Sequence, residues 1–193
     1  MTTSPNEACV LAGVPLAWFA LKVRARGEAL VGGYLESKGY EVFLPSYLES
    51  RKYSDRIVRV TAALFPGYLF CQLDPSRRLP VLTTPGVEHI VGFGGAPEPV
   101  PEAELDAVRR VLEAGAQAVP WPYLATGQKV RIEFGALRGV EGLVTRIRGE
   151  ERLILSVNLL QRSICVDIDR SWIRPLQIGP SNLAVPGSEP KRL

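Results

Sequence analysis

Leu64-Phe65-Pro66-Gly67-Tyr68-Leu69-Phe70 decides how this chain is read. Apolar residues fill the run, yet a turn-forming pair interrupts it where an ordinary strand would continue. Pro66 cannot donate a ladder hydrogen bond and Gly67 weakens a strand interior, so the run is predicted to enter its sheet at an edge or through a bulge. Phe65 and Tyr68 then stand near a sheet margin. The strand should continue through Cys71-Gln72-Leu73 and stop at Asp74-Pro75. Aromatic residues beside a proline bend serve either as core or as anchors for a partner, and the stretch by itself leaves both readings open.

Working outward toward the N-terminus, Ala17-Trp18-Phe19-Ala20-Leu21-Lys22-Val23 has the aromatic and branched content of a strand. Lys22, Arg24 and Arg26 follow at spacing two, so continued extension would put them on one side, where they could meet phosphate or simply be solvated. In residues 28–38, Leu30, Val31, Tyr34 and Leu35 recur at helical spacing, and Gly39 stands where a helix would stop. Gly32-Gly33 inside that helix costs about 1 kcal/mol per residue relative to alanine, which implies a close backbone neighbour or a weak helix. Residues 40–44 alternate like a second strand, and residues 46–61 read as a long hairpin carrying Arg51, Lys52, Arg56 and Arg59. Basic residues outnumber acidic ones eight to five between Lys22 and Arg59, a mild bias.

Downstream, residues 77–82 suggest a brief helix, Pro85-Gly86 a turn, and residues 87–93 a strand holding His89, the single histidine. Gly92-Phe93-Gly94-Gly95 is no phosphate loop, because Ala96-Pro97-Glu98-Pro99 follows it instead of a helix start. Pro101-Glu102 opens a helix with Leu105, Val108, Val111 and Leu112 on one face, ending near Gly115. Residues 116–125, with Pro120, Trp121 and Pro122, lose all period and read as a linker. Beyond it come short strands at 129–134, 140–147, 152–157 and 163–168, which suit a small closed barrel. Gly135, Gly139 and Gly142 fall where its first strands must turn or approach another backbone. The expected division is a disordered leader 1–16, a first domain 17–115, the linker 116–125, a barrel 126–176 and a disordered tail 177–193.

A chain of 193 residues with 46% apolar content and a formal charge of +3 is globular in composition, and its charge permits an anionic partner without requiring one. Cys9, Cys71 and Cys165 show neither paired nor metal-ligand spacing, which points to a reducing cytoplasm and to no disulfide frame or structural metal. No run approaches the roughly 20 apolar residues of a membrane-spanning helix. His89 has no nucleophile in a recognisable motif beside it, and no carboxylate pair or metal cluster has catalytic spacing, so the chain reads as no enzyme and as needing no cofactor.

Residues 18–23, the helix at 28–39, Leu64 to Phe70, Thr84-Pro85-Gly86-Val87 and Pro99-Val100-Pro101 resemble the N-terminal domain of the NusG family of transcription elongation factors. Thr126-Gly127-Gln128-Lys129-Val130-Arg131-Ile132, followed by Gly135, Gly139, Glu141-Gly142 and Val144, is similar to the KOW motif of that family's C-terminal domain. The resemblance implies an α+β chain: an N-terminal antiparallel sheet with flanking helices, plus a small SH3-like KOW β-barrel. It implies a monomeric, cytoplasmic, non-enzymatic factor whose apolar pocket, at Trp18, Phe43, Phe65, Pro66, Tyr68 and Phe70, grips the clamp helices of the largest RNA polymerase subunit. Lys22, Arg24 and Arg26 would approach upstream or non-template DNA. Arg77, Arg78 and Thr84 would reach the gate loop of the second-largest subunit or DNA, although Arg77-Arg78-Leu79 departs from the polar triplet of some specialised members. The barrel would recruit a small-subunit ribosomal protein or termination factor Rho. Residues 153–163 resemble specialised antitermination paralogs more than the housekeeping factor, which stays the alternative; a KOW-bearing ribosomal or RNA-binding protein is the other. Against that last reading, residues 126–152 hold six basic and four acidic residues, too balanced for a cationic RNA-binding barrel.

Overall fold

The computed structural model describes residues 16–52, 56–123, 128–147 and 150–176. The expected leader and tail therefore lie outside the described residues, apart from Leu16. Strand β1 (Ala17–Val23) lies at the centre of a four-stranded antiparallel sheet with β2 (Glu41–Phe43), β5 (Tyr68–Leu73) and β6 (Val87–Ile90), in the order β2-β5-β1-β6. Between β2 and β5 the chain runs out and back as a separate ribbon of β3 (Ser46–Lys52) and β4 (Ile57–Ala63), as the polar, basic composition of that stretch predicts.

The deciding stretch behaves differently from its reading. Pro66-Gly67 does not interrupt a strand; it forms a turn, and β5 begins only at Tyr68. The strand then takes an interior place, paired to β1 on one side and to β2 on the other. A proline just ahead of a strand removes no ladder bond, so nothing confines that strand to an edge.

Helix α1 (Glu28–Ser37) covers one face of this sheet, packing Val31 and Leu35 on Phe19, Leu21, Leu69, Cys71 and Leu73. It stops at Gly39, whose φ of 84° suits the left-handed residue that ends a helix. Leu30 and Tyr34 belong to the helical pattern but stay exposed at 62% and 42%. No backbone approaches Gly32 or Gly33; the nearest neighbour to either is the Val42 side chain. A short helical piece, α2 (Leu79–Leu82), precedes β6. The single strand expected at 87–93 is split, since β7 (Gly92–Phe93) leaves the sheet to pair with β8 (Ala96–Pro97).

The other face is covered in part by α3 (Glu102–Glu113), which starts after Pro101, carries Glu102 and Glu104 in its first turn, and ends before Gly115. Beyond it lies a six-stranded antiparallel sheet built from β9 (Ala118–Pro122), β10 (Gln128–Ile132), β11 (Glu141–Ile147), β12 (Glu150–Val157), β13 (Arg162–Asp167) and β14 (Ile173–Pro175). Its order is β14-β10-β11-β12-β13-β9. This is the small all-β unit expected at the C-terminal end. Residues 118–122, read as linker, are its edge strand: Val119 pairs with Cys165 and Trp121 with Ser163. Prolines at 120 and 122 fit there because an edge strand has one side free of ladder bonds. One continuous apolar cluster runs from Trp18, Phe65 and Phe70 through Leu105 and Val108 to Val130, Leu155 and Ile164.

Candidate functional site

Alternation along the strands puts Trp18, Ala20 and Lys22 on the same sheet face as Phe70 and Tyr68, with Phe43 across from Phe70. The six residues expected to form a pocket divide there. Trp18, Phe65 and Phe70 are buried, at 5%, 1% and 0% exposure. Phe65 meets Phe70 edge to face at 5.7 Å and Phe43 meets Phe70 at 6.1 Å, so Phe70 is the keystone of an aromatic cluster. Phe43 and Tyr68 are half-buried and Pro66 is exposed. What reaches the surface is therefore Phe43, Pro66 and Tyr68, flanked by the half-buried Tyr47, over buried rings that support them.

Burial of Trp18 follows from α3. Arg109 lays its guanidinium 4.6 Å from the Trp18 ring and 5.0 Å from that of Phe43, and Asp106 one turn earlier accepts a 2.8 Å bond from it. At the other end of the same face, Lys22 Nζ stands 4.5 Å from the Tyr68 ring. Gly67 holds a φ of 81°, which favours glycine, and a Cβ there would come within 2.6 Å of that ammonium and make the flexible lysine tip shift.

Three turns converge beside Lys22. Val23 N–H donates to Gly67 O at 3.0 Å, Arg24 N–H to Gly86 O at 2.9 Å, and Gly67 N–H to the Glu28 carboxylate at 2.7 Å. The motifs at 66–67 and 84–87 thus meet at one end of the sheet, which their separation along the chain conceals. Extension ends at Val23, and Arg26 adopts a left-handed φ of 64° in the turn that follows. Lys22, Arg24 and Arg26 therefore do not form a single-faced row: Lys22 is half-buried against Tyr68, whereas Arg24 and Arg26 are exposed. Arg77 and Arg78 are exposed as well. Thr84 is not available to a partner; it is 2% exposed, and its hydroxyl accepts from Lys38 Nζ at 2.7 Å and donates to Pro80 O at 3.0 Å.

In the C-terminal sheet, Gly135 and Gly139 hold positive φ in the turn before β11, with the Trp172 ring lying over Gly135. Gly142 serves differently: a Cβ there would press within 2.7 Å of Ile154 O, so glycine permits the close approach of β11 to β12. This sheet also touches α3. Glu104 accepts from Asn158 N–H at 3.1 Å and from Asn158 Nδ2 at 2.6 Å, while Arg110 Nη1 donates to Arg138 O at 3.3 Å. Between them a cleft of about 740 Å³ is walled by Ala103, Ala107 and Arg110 on one side and by Lys129, Leu143 and Ile154 on the other. Sequence reasoning missed Arg109, Asp106, Glu104 and Asn158. Arg109 and Asp106 carried the signal of an i,i+3 pair on a helix, but neither the rings nor Asn158 are near α3 along the chain.

Burial pushes the Cys71 thiol up to about 12, with Glu41 adding to the effect, so it is inert at neutral pH. Among the described residues no group of three metal-ligating side chains occurs, and no helix is long and apolar enough to cross a membrane.

A family model described as transcription termination factor nusG matches residues 16–109. The transcription termination/antitermination protein NusG of Thermus thermophilus is 30% identical over 183 residues, spanning 82% of this chain and 97% of that protein. Its counterpart from Lactococcus lactis is 26% identical over 148 residues, spanning 74% and 79% respectively. A solved structure described as domain interaction in Thermotoga maritima NusG shares the fold at a TM-score of 0.52 and 19% identity, covering 84% of this chain and 98% of that one.

Proposed function

We propose, from the premise that this chain belongs to the NusG family of transcription termination and antitermination factors, that it acts by binding and performs no chemistry of its own. The half-buried surface of Phe43, Tyr47 and Tyr68 beside exposed Pro66 receives the clamp helices of the largest RNA polymerase subunit. That surface carries the reading. Half-exposed aromatic residues over rigid buried rings supply apolar area at little ordering cost, which is what interface anchors require. Bridging the DNA cleft from this seat favours the closed clamp through differential affinity and so suppresses pausing or termination.

Arg24 and Arg26, exposed in the turn after β1, are placed to meet phosphates of upstream or non-template DNA, giving position and salt dependence without sequence choice. Arg77 and Arg78 reach the gate loop of the second-largest subunit or DNA, without Thr84. The C-terminal sheet, as a KOW unit, recruits a small-subunit ribosomal protein or Rho, and the chain acts in the cytoplasm as a specialised antiterminator.

Pull-down of polymerase with Tyr68→Ala and Phe43→Ala tests the seat. Each should weaken binding by about 2 kcal/mol. Unchanged affinity in both, with folding intact, removes the assignment; run-off transcription through a terminator with and without Rho then separates antiterminator from termination cofactor.

A further inference from the structure

The guanidinium of Arg109 lies over two rings and donates to Asp106 from the side. Among the described residues it donates only to Asp106, through Nη1, which leaves most of its five N–H donors uncommitted. Its side chain is 25% exposed, so the residue is in part accessible from the aromatic surface it lies on. Lys22 stands over Tyr68 at the opposite rim and makes no ion pair among the described residues. Two cations thus flank the surface, each steadied by a ring face.

An arginine stacked on aromatic rings has lost its freedom before anything binds, and its planar fork matches a carboxylate with two parallel hydrogen bonds. The Asp106 pair is an exposed i,i+3 contact, which is worth little and exchanges readily.

Resting on the docking reading above, we infer that Arg109 is a specificity residue that receives a carboxylate from the helix seated on Phe43 and Tyr68, with Lys22 receiving a second acid farther along. The occupant is an apolar helix carrying acidic residues on its contact face. A nucleic-acid strand fits less well. Asp106 stands beside Arg109, Glu41 shares a sheet face with Phe43, and Glu28 lies at the Gly67 turn next to Lys22. One carboxylate tolerates these neighbours, whereas a chain of phosphates is repelled by all three. The apolar ground between the two cations has no use for a polyanion.

The test measures affinity of the full-length chain for core polymerase, and for a single-stranded and a duplex oligonucleotide, with Arg109→Glu, Arg109→Lys and Tyr68→Ala. Near-ultraviolet circular dichroism checks that Trp18 stays packed. Arg109→Glu should weaken polymerase binding about tenfold or more, Arg109→Lys should lie between it and wild type because the fork is lost and the charge kept, and oligonucleotide binding should not change. An acid-to-lysine change on the polymerase helix should restore Arg109→Glu. Should Arg109→Glu disturb packing, Arg109→Lys alone decides, with wild-type affinity counting against the assignment. Wild-type affinity in both Arg109 variants while Tyr68→Ala is defective overturns the carboxylate role and leaves the docking reading standing. Wild-type affinity in all three overturns the docking reading itself. Loss of oligonucleotide binding with polymerase affinity intact gives Arg109 to phosphate instead.

Discussion

Helix α3 has two sides, and they are built by different rules. Toward the N-terminal sheet it offers Arg109 over Trp18 and Phe43, with Leu105 and Val108 buried in the same cluster. Toward the C-terminal sheet it offers Ala103, Ala107 and Arg110 across a cleft of about 740 Å³, joined by Glu104 to Asn158. Dense apolar packing is lost only when the domain unfolds, because every missing methylene leaves an unfilled space. A few hydrogen bonds across a wide cleft exchange with water at small net cost. The buried face of the helix is therefore a structural member shared by both sheets, since its cluster runs on to Val130, Leu155 and Ile164, and only the polar contacts at the cleft are cheap to exchange.

The strongest way to break that contrast is Leu105→Ala. Burial at 0% exposure predicts a loss of about 2–5 kcal/mol, read as a lower urea midpoint; a loss under about 1 kcal/mol would mean the apolar side is no tighter than the polar one. Glu104→Ala should cost about 1 kcal/mol and should shift amide resonances of the C-terminal sheet around Asn158 while leaving those around Trp18 in place. Movement of both sets together would show that the two sides act as one unit.

The Cys71 thiol sharpens the comparison on the far side of the N-terminal sheet. Its pKa, raised by burial to about 12, means that the stability it contributes is fully present below the ordinary thiol value and is lost as pH rises from there toward 12. Alkylation of Cys71 by iodoacetamide at pH 8, read by mass spectrometry of its peptide, should be negligible in the folded chain and complete in urea; rapid labelling of Cys71 in native protein would contradict a rigid core beneath α1. The smallest effect belongs to Asp169 in the connection between β13 and β14, whose carboxylate is held below the usual range by the Ser171 N–H and hydroxyl. Its stabilisation is present above the ordinary carboxylate value and lost as pH falls below it, and Asp169→Asn should remove that acid-side slope, leaving the variant slightly less stable than wild type at neutral pH and equal to it in acid.

Most strand and helix positions were legible because each depends on local period or on a breaker residue. The α3 face follows its hydrophobic spacing closely, the strands expected at 129–134 and 163–168 fall at 128–132 and 162–167, and the hairpin expected at 46–61 from its polar, basic composition is found at 46–63. Family membership was legible for the same reason, since its motifs are short runs. Residues 118–122 were misread because a proline-rich edge strand has no period to show; only pairing with β13 makes it a strand. Leu30 and Tyr34 kept helical spacing without burial, since spacing states which residues share a face and not whether anything lies against it.

The chain's own order of residues determined where strands and helices form, which residues alternate inward, and the presence of an aromatic cluster after a proline and glycine turn. Tertiary structure alone decided that Trp18, Phe65 and Phe70 are sealed while Phe43 and Tyr68 reach the surface, that Thr84 turns inward, and that Arg109 caps the rings. Local propensity acts over a few neighbouring residues, whereas exposure is set by which distant segment arrives to cover a face. Here that segment is α3, more than eighty residues after Trp18.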